Sequence, residues 1–331
     1  MKITTMIDEY GKPYSPYMGN LVNHLPMGQL ALYKLTEDLD RVEEYSKFYI
    51  EHFTIDPLTG PSGAVNSIEE CIGKRELYEE CLLLVEKEVE EKGLDSFIRE
   101  VLNTYPLGMS SGLFHVLIRL AYAKEGMDLG EGLTDEVHRA LAYYLTAYRE
   151  VTPFTRRVPR DSGVEEMGKL QNASVVQSIY HKDLSRGMTM KHLYESDMYL
   201  EHGFLFDGKD EEKIQALLDI CLPAFDQTAS IVVLHCVTGL HALNVLKDYF
   251  YDFSKALDIY TTAVITHLLT VEEIDYSNKT EEIVWEWEDL LFEGSYSKDV
   301  HTIKFTYTCH ELDKLHARKG LRNSLRNQIN K

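Results

Sequence analysis

The chain has no continuous run of roughly 18 apolar residues, so no segment is expected to cross a bilayer as a helix. Cysteine is sparse. Cys71, Cys81, Cys221, Cys236 and Cys309 are odd in number, scattered and without a CxxC pair. That argues against a disulfide framework or a zinc–thiolate site and for free thiols in a reducing compartment. Basic charge is short as well: 34 Lys and Arg against 54 Asp and Glu leave a net charge of −20. Nucleic acids and anionic membranes need basic surfaces, so neither is an expected partner. The opening MKITTMIDEYGKPYSPYMGN has neither the apolar core nor the cleavage pattern of a signal peptide, and a cytoplasmic location is the expectation. There is no GxxxxGK[ST], and no GxGxxG between a strand and a helix, which leaves nucleotide binding by those devices unsupported. Persuasive strands are absent too, because the short Val and Ile runs fall within helical periodicity.

What is present suits an all-α protein. The 331 residues, 44% hydrophobic and 27% charged, are enough to bury one large core. The expected architecture is a single bundle-like domain over residues 1–331, with residues 1–22 an irregular lead-in and 320–331 a frayed basic tail. Pro13 and Pro16 argue against a long helix in the lead-in. The spacing predicts helices over 25–36, where Pro26 suits a first turn, and over 37–53, 67–92, 94–104, 135–150 and 210–222. Pro223 marks the stop of the last of these. Further helices are expected over 226–250, 252–270, 281–292 and 299–317, with short ones within 164–202. Residues 152–163, TPFTRRVPRDSG, form a basic loop, either a linker or a lid.

The chemistry-bearing stretch is 107–125, LGMSSGLFHVLIRLAYAKE. Small residues lead into an apolar helix on which His115, Arg119 and Tyr122 share one face at i, i+4 and i+7. Burying such groups unpaired is costly, so they should point at something. Gly108 to Gly112 also matches the nucleophile-elbow pattern GxSxG around Ser110. That device needs a strand feeding the turn, and none is expected here, so serine-hydrolase chemistry is disfavoured.

Five of the 13 histidines lie in apolar or small-residue settings: His24, His115, His235, His241 and His301. One such imidazole is ordinarily a core side chain bonded to a carbonyl. Five together point to a transition-metal site in a bundle core. His235 and His241, six apart, lie about 120° apart on a regular helix. A break at Gly239 would be needed to bring both rings to one place. His301, Lys304, Thr308 and Glu311 share a face. A lysine among imidazoles should have a lowered pKa, leaving its amine free for chemistry or carbamylation. The ordinary alternative for Lys304 is a salt bridge.

Four blocks together resemble the questin oxidase-like family. They are Asn23-His24-Leu25-Pro26-Met27, then 112–123 (GLFHVLIRLAYA), then Leu234-His235 with Thr238 and His241-Ala242, then His301-Thr302-Ile303-Lys304. They span residues 23 to 304 in the family's order, and the FHxLIRLxYA block is the most specific of them. The approach at Ser110-Ser111 departs from the family's more glycine-like pattern. The resemblance implies an α-helical oxidoreductase that uses molecular oxygen on a small polycyclic aromatic ketone or phenol, by Baeyer–Villiger-like or ring-cleaving oxidation. It also brings NADPH into consideration as a cofactor.

The site expected on this basis is a non-haem iron, or another transition metal, held by His24, His115, His235 and His241 with Lys304. The catalytic set is Lys304 as base, Arg119 stabilising a developing enolate or phenolate, Tyr122 orienting it, and His301 beside them. Two alternatives stand next to this expectation: a metal-free oxygenase using the histidines as acid and base, and a helical small-molecule-binding protein without turnover.

Overall fold

Helical periodicity governs nearly the whole chain. The structure is a computed structural model describing every residue except Met1, Ala64, Glu131, His181, Asp183, 272–273, 277–284 and Lys319. It is 70% helix and only 3% strand, which makes the protein all-α.

The N-terminal segment departs from expectation. Helix α1 (Ile3–Gly11) forms because Ile3, Met6 and Ile7 bury one face, and Pro13 and Pro16 come only after its end. A two-strand antiparallel hairpin follows, β1 (Tyr17–Met18) and β2 (Leu21–Val22), turning at Gly19 with φ 59°. Helix α2 (Leu25–Thr36) starts with Pro26 in its first turn, and the Leu25 N–H donates to Asn23 Oδ1 at 3.0 Å. Asp38 caps α3 (Leu39–His52).

The single helix predicted over 67–92 is two, α4 (Ile68–Cys71) and α5 (Tyr78–Lys92). Gly73 breaks it at φ 69°, where its N–H donates to Leu145 O at 3.0 Å. Helices α6 (Leu94–Thr104), α7 (His115–Met127) and α8 (Thr134–Thr146) follow. The basic segment 152–163 is tied down: β3 (Arg157–Val158) pairs in parallel with a later strand, Leu205–Phe206. Between them run α9 (Gly163–Gln171), α10 (Ser174–Tyr180), α11 (Arg186–Tyr194) and α12 (Asp197–His202), and that later strand is β4.

Helix α13 (Asp210–Thr228) runs straight through Pro223 instead of stopping there. The lost N–H costs one helical hydrogen bond, but Leu222, Ala224 and Phe225 are buried on either side of it. Ala229, at φ 45°, then ends the helix. Helices α14 (Ile231–Val245) and α15 (Phe253–Leu268) come next, then α16 (Trp287–Ser295), α17 (Val300–His316) and α18 (Gly320–Ile329). Residues 281–284 of the predicted 281–292 helix lie outside the described residues. The expected frayed tail is α18, because Leu321 and Leu325, one turn apart, are fully buried.

One contiguous apolar core runs from Ile3 to Leu325. Within it α2 packs on α7 and α17, and α14 packs on the same two helices, so the four close a ring. Helix α14 is buried on all sides from Val232 to Leu243. The candidate residues His115, His235, His301 and Lys304 lie on three of these helices, and His24 stands at the head of the fourth.

Candidate functional site

The chain enters α7 through an unusual turn. Gly112, Leu113 and Phe114 take φ values of 59°, 58° and 64° in succession. The left-handed conformation costs a non-glycine residue about 1–2 kcal/mol. Burial of Phe114 against Tyr260 and His267, with ring centroids 4.9 and 5.1 Å away, offsets it. Gly112 is required for space as well, since a Cβ there would sit 2.6 Å from the Tyr143 hydroxyl oxygen. The turn folds the Gly112 carbonyl onto the His115 ring, whose Nδ1 donates to it.

Two more imidazoles are anchored in the same manner. His24, immediately before α2, donates from Nδ1 to Val22 O at 2.6 Å. Its main-chain N–H is held by the Tyr49 hydroxyl at 3.0 Å. His235 donates from Nδ1 to Ile231 O, one turn back on α14, at 2.7 Å. A carbonyl oxygen only accepts, so all three rings carry their hydrogen on Nδ1 and present a bare Nε2. Burial, reinforced by the Lys304 amine and the neighbouring imidazoles, pushes all three far below the usual histidine range, and they are neutral. His301, near the start of α17, turns Nδ1 toward Asp299 Oδ1 at 3.3 Å. Burial opposes ionisation of Asp299, but hydrogen bonds from His301 and Thr302 hold its carboxyl well below the carboxylate range.

These four rings meet. His24 lies 4.5 Å from His115 and 4.8 Å from His301 between ring centroids, and His115 lies 4.3 Å from His235. The nitrogens of His24, His235 and His301 all fall within 4.8 Å of one another. The Nε2 atoms of His24 and His115 are only 2.6 Å apart, and His235 Nε2 is buried without a hydrogen-bond partner. Two neutral rings protonated on Nδ1 cannot hydrogen-bond through Nε2, because lone pair would face lone pair. A shared cation removes that conflict. Ligands of one transition metal stand roughly 2.9–3.4 Å apart, so the two rings need to part by less than about 1 Å. The donor set therefore fits a metal ion. Carbonyl-anchored Nδ1 atoms are the outer-shell arrangement that orients metal-binding imidazoles.

Lys304, one turn beyond His301, is fully buried and its Nζ has no partner. Burial pulls it down to about 7, against the opposing pull of Asp299. It makes no salt bridge within 4.0 Å among the described residues, unlike the ordinary alternative raised by the sequence.

Three expected residues lie elsewhere. His241 does not join the other imidazoles: α14 runs regularly through Gly239, so the six-residue spacing carries the ring away. It lies 3.6 Å from Glu125 Oε2 and 5.5 Å from the Tyr307 ring. Gly239 serves close packing instead of a break, as a Cβ there would sit 2.8 Å from the Tyr260 hydroxyl oxygen and 3.0 Å from Phe114 Cβ. Arg119 is committed to structure. Its Nε donates to Glu136 Oε1 at 2.7 Å, and Arg139 bridges Glu136 to Asp8, tying α7 to α8 and α1. Tyr122 lies with the His241 group, its ring 5.9 Å from that of Tyr307. Ser110 is buried in the turn before α7, with no strand feeding it, so the elbow geometry is missing.

Asp299, Glu125 and Tyr307 went unmarked in the sequence. Glu125 is three residues beyond Tyr122, an acid on the continuation of an inward stripe, and that spacing was the available signal. No protein-family model matches the chain, and no curated protein matches it.

Proposed function

We propose that the chain is an oxygen-dependent oxidoreductase of questin oxidase-like type, with a transition metal, iron foremost, held by His24, His115, His235 and His301. The observation that carries this reading is the convergence of carbonyl-anchored imidazoles, with the bare Nε2 atoms of His24 and His115 2.6 Å apart. Neutral imidazole suits iron, copper, zinc and nickel, and the rings of His24, His115 and His235 are buried against competing water. An iron or copper ion held there would supply redox chemistry toward dioxygen, which zinc could not.

The remaining roles belong to the chain's own groups. Lys304, drawn down to about 7, is placed to take the proton of a phenolic hydroxyl. A phenol of ordinary pKa near 10 makes that transfer uphill by about 4 kcal/mol, which a neighbouring cation offsets. His301 is the open side of the cluster: its side chain is 25% exposed, whereas His235 is 1% exposed. A flat aromatic substrate therefore approaches from the N-terminal end of α17.

The test is oxygen uptake with a panel of polycyclic phenols and ketones, repeated after chelation and for His115→Ala. Uptake lost under both treatments supports the reading. Full uptake after chelation favours metal-free acid–base oxidation by the same groups. Binding of the panel without any uptake leaves a small-molecule-binding protein.

A further inference from the structure

The imidazole cluster is one end of a longer buried polar seam. Helix α7 carries His115, Tyr122 and Glu125 along one face, and α17 carries His301, Lys304 and Thr308. Helix α14, packed against both, carries His235 and His241. In this seam Glu125 Oε2, both ring nitrogens of His241 and Lys304 Nζ are buried without hydrogen-bond partners, and the buried Tyr122 and Thr308 hydroxyls have only each other. Buried polar atoms are nearly always satisfied, by protein or by ordered water. A run of such groups along one seam is what ordered water would satisfy.

The path has direction. Glu125 is its solvent end, with a side chain 13% exposed against 3% for His241, and Lys304 at its inner end is fully buried. The Tyr307 hydroxyl donates to Glu125 Oε1 at 2.6 Å, which fixes the carboxylate and leaves Oε2 facing His241 Nε2 at 3.6 Å. His241 keeps Nδ1 free for the interior. Thr308, one turn beyond Lys304 on α17, lies beside the Tyr122 hydroxyl.

We propose that Glu125 and His241 are a proton relay connecting Lys304 to solvent. The inference rests on the functional reading above only in taking Lys304 as a base that must be reset. A proton on Lys304 Nζ passes over the Thr308 and Tyr122 hydroxyls and bridging water to His241 Nδ1. The proton on His241 Nε2 leaves to Glu125 Oε2, and Glu125 releases it to water. The ring's return to its starting tautomer completes the cycle: one proton leaves the interior and no electrons move. Tyr307 acts as a positioning residue for Glu125.

The experiment uses the full-length, metal-free protein labelled with nitrogen-15 in lysine and histidine, repeated with zinc added. The exchange of the Lys304 Nζ hydrogens with solvent is followed by NMR, with the signal assigned by its loss in Lys304→Met. Glu125→Gln and His241→Phe each slow that exchange by at least about tenfold, and Glu125→Asp restores most of it. Main-chain amide exchange in α7, α14 and α17 stays unchanged, which separates a relay from loosened packing. Should His241→Phe fail to fold, Glu125→Gln carries the test. Exchange as fast in Glu125→Gln as in the wild type overturns the relay. Absence of oxygen uptake would sink the proposed reaction while leaving this result standing.

Discussion

His24 and His115 face each other nitrogen to nitrogen, with 2.6 Å between their Nε2 atoms and each Nδ1 spent on a main-chain carbonyl. The arrangement brings together a ring at the head of α2 and one at the head of α7, 91 positions apart in sequence. Nothing local demands it. Holding neutral imidazoles in this way leaves their lone pairs unsatisfied, and that cost makes sense where a ligand repays it.

Acid should unfold the protein early. His24, His115 and His235 are pushed far down by burial, and burial takes His267 to about 3. Below the unfolded value near 6.5, the unfolded chain binds protons that the native state refuses, so stability falls as pH drops. Each histidine contributes a slope of up to about 1.4 kcal/mol per pH unit. Asp8, raised by burial to about 6, works in the opposite direction, as do Asp226 and Glu86, also raised by burial, but the lowered histidines outnumber these carboxyls. Urea midpoints measured from pH 7.5 down to 5 should fall steadily, and less steeply in His235→Gln.

Lys304→Met should stabilise the fold while removing the proposed oxygen uptake. The native amine sits at about 7 and its unfolded value is 10.5, so burying it costs on the order of several kcal/mol at pH 7. The cost is full below pH 7 and fades as pH rises toward 10.5, because the unfolded chain then loses the same proton. Thermal melts at pH 7 and pH 9 should show a higher midpoint for the variant, with a smaller gain at pH 9.

Glu136→Gln should destabilise without touching the site's chemistry. Arg119 and Glu136 are 1% and 2% exposed, and removing one partner strands a buried charge. Breaking such pairs costs about 3–5 kcal/mol. Oxygen uptake per folded molecule should stay near the wild-type value. A selective loss of turnover at unchanged stability would return Arg119 to the catalytic set.

The two histidines of α14 should separate cleanly. His235→Gln removes a member of the cluster and should weaken metal affinity by more than about 100-fold. His241→Gln, acting from the Glu125 side, should leave metal affinity within about threefold of wild type. Titration with zinc and a competing chelator measures both.

The contrast between His235 and His241 also shows where the sequence becomes silent. Both were visible as polar rings in an apolar helix. Spacing gave the angle between them but not which one faces α7 and α17 near their starts, because α14 is buried all round and has no polar face to orient it. His24, His115 and Lys304 were legible for the same reason as His235, as costly groups among apolar neighbours. Arg119 looked equally costly, but its partner Glu136 lies 17 positions on, beyond a loop that no helical spacing crosses. At the C-terminus, basic composition masked Leu321 and Leu325, whose spacing of one turn was the stronger signal for α18.

Elemental analysis of full-length protein, purified without chelator and without a metal-affinity column, bears most directly on the imidazole centre. Wild-type protein should carry about one transition-metal ion per chain, and a His24→Ala, His115→Ala double variant that still folds should carry none. Wild-type protein that holds no ion, and takes up none from iron, copper, zinc or nickel at micromolar concentration, would contradict the metal centre outright.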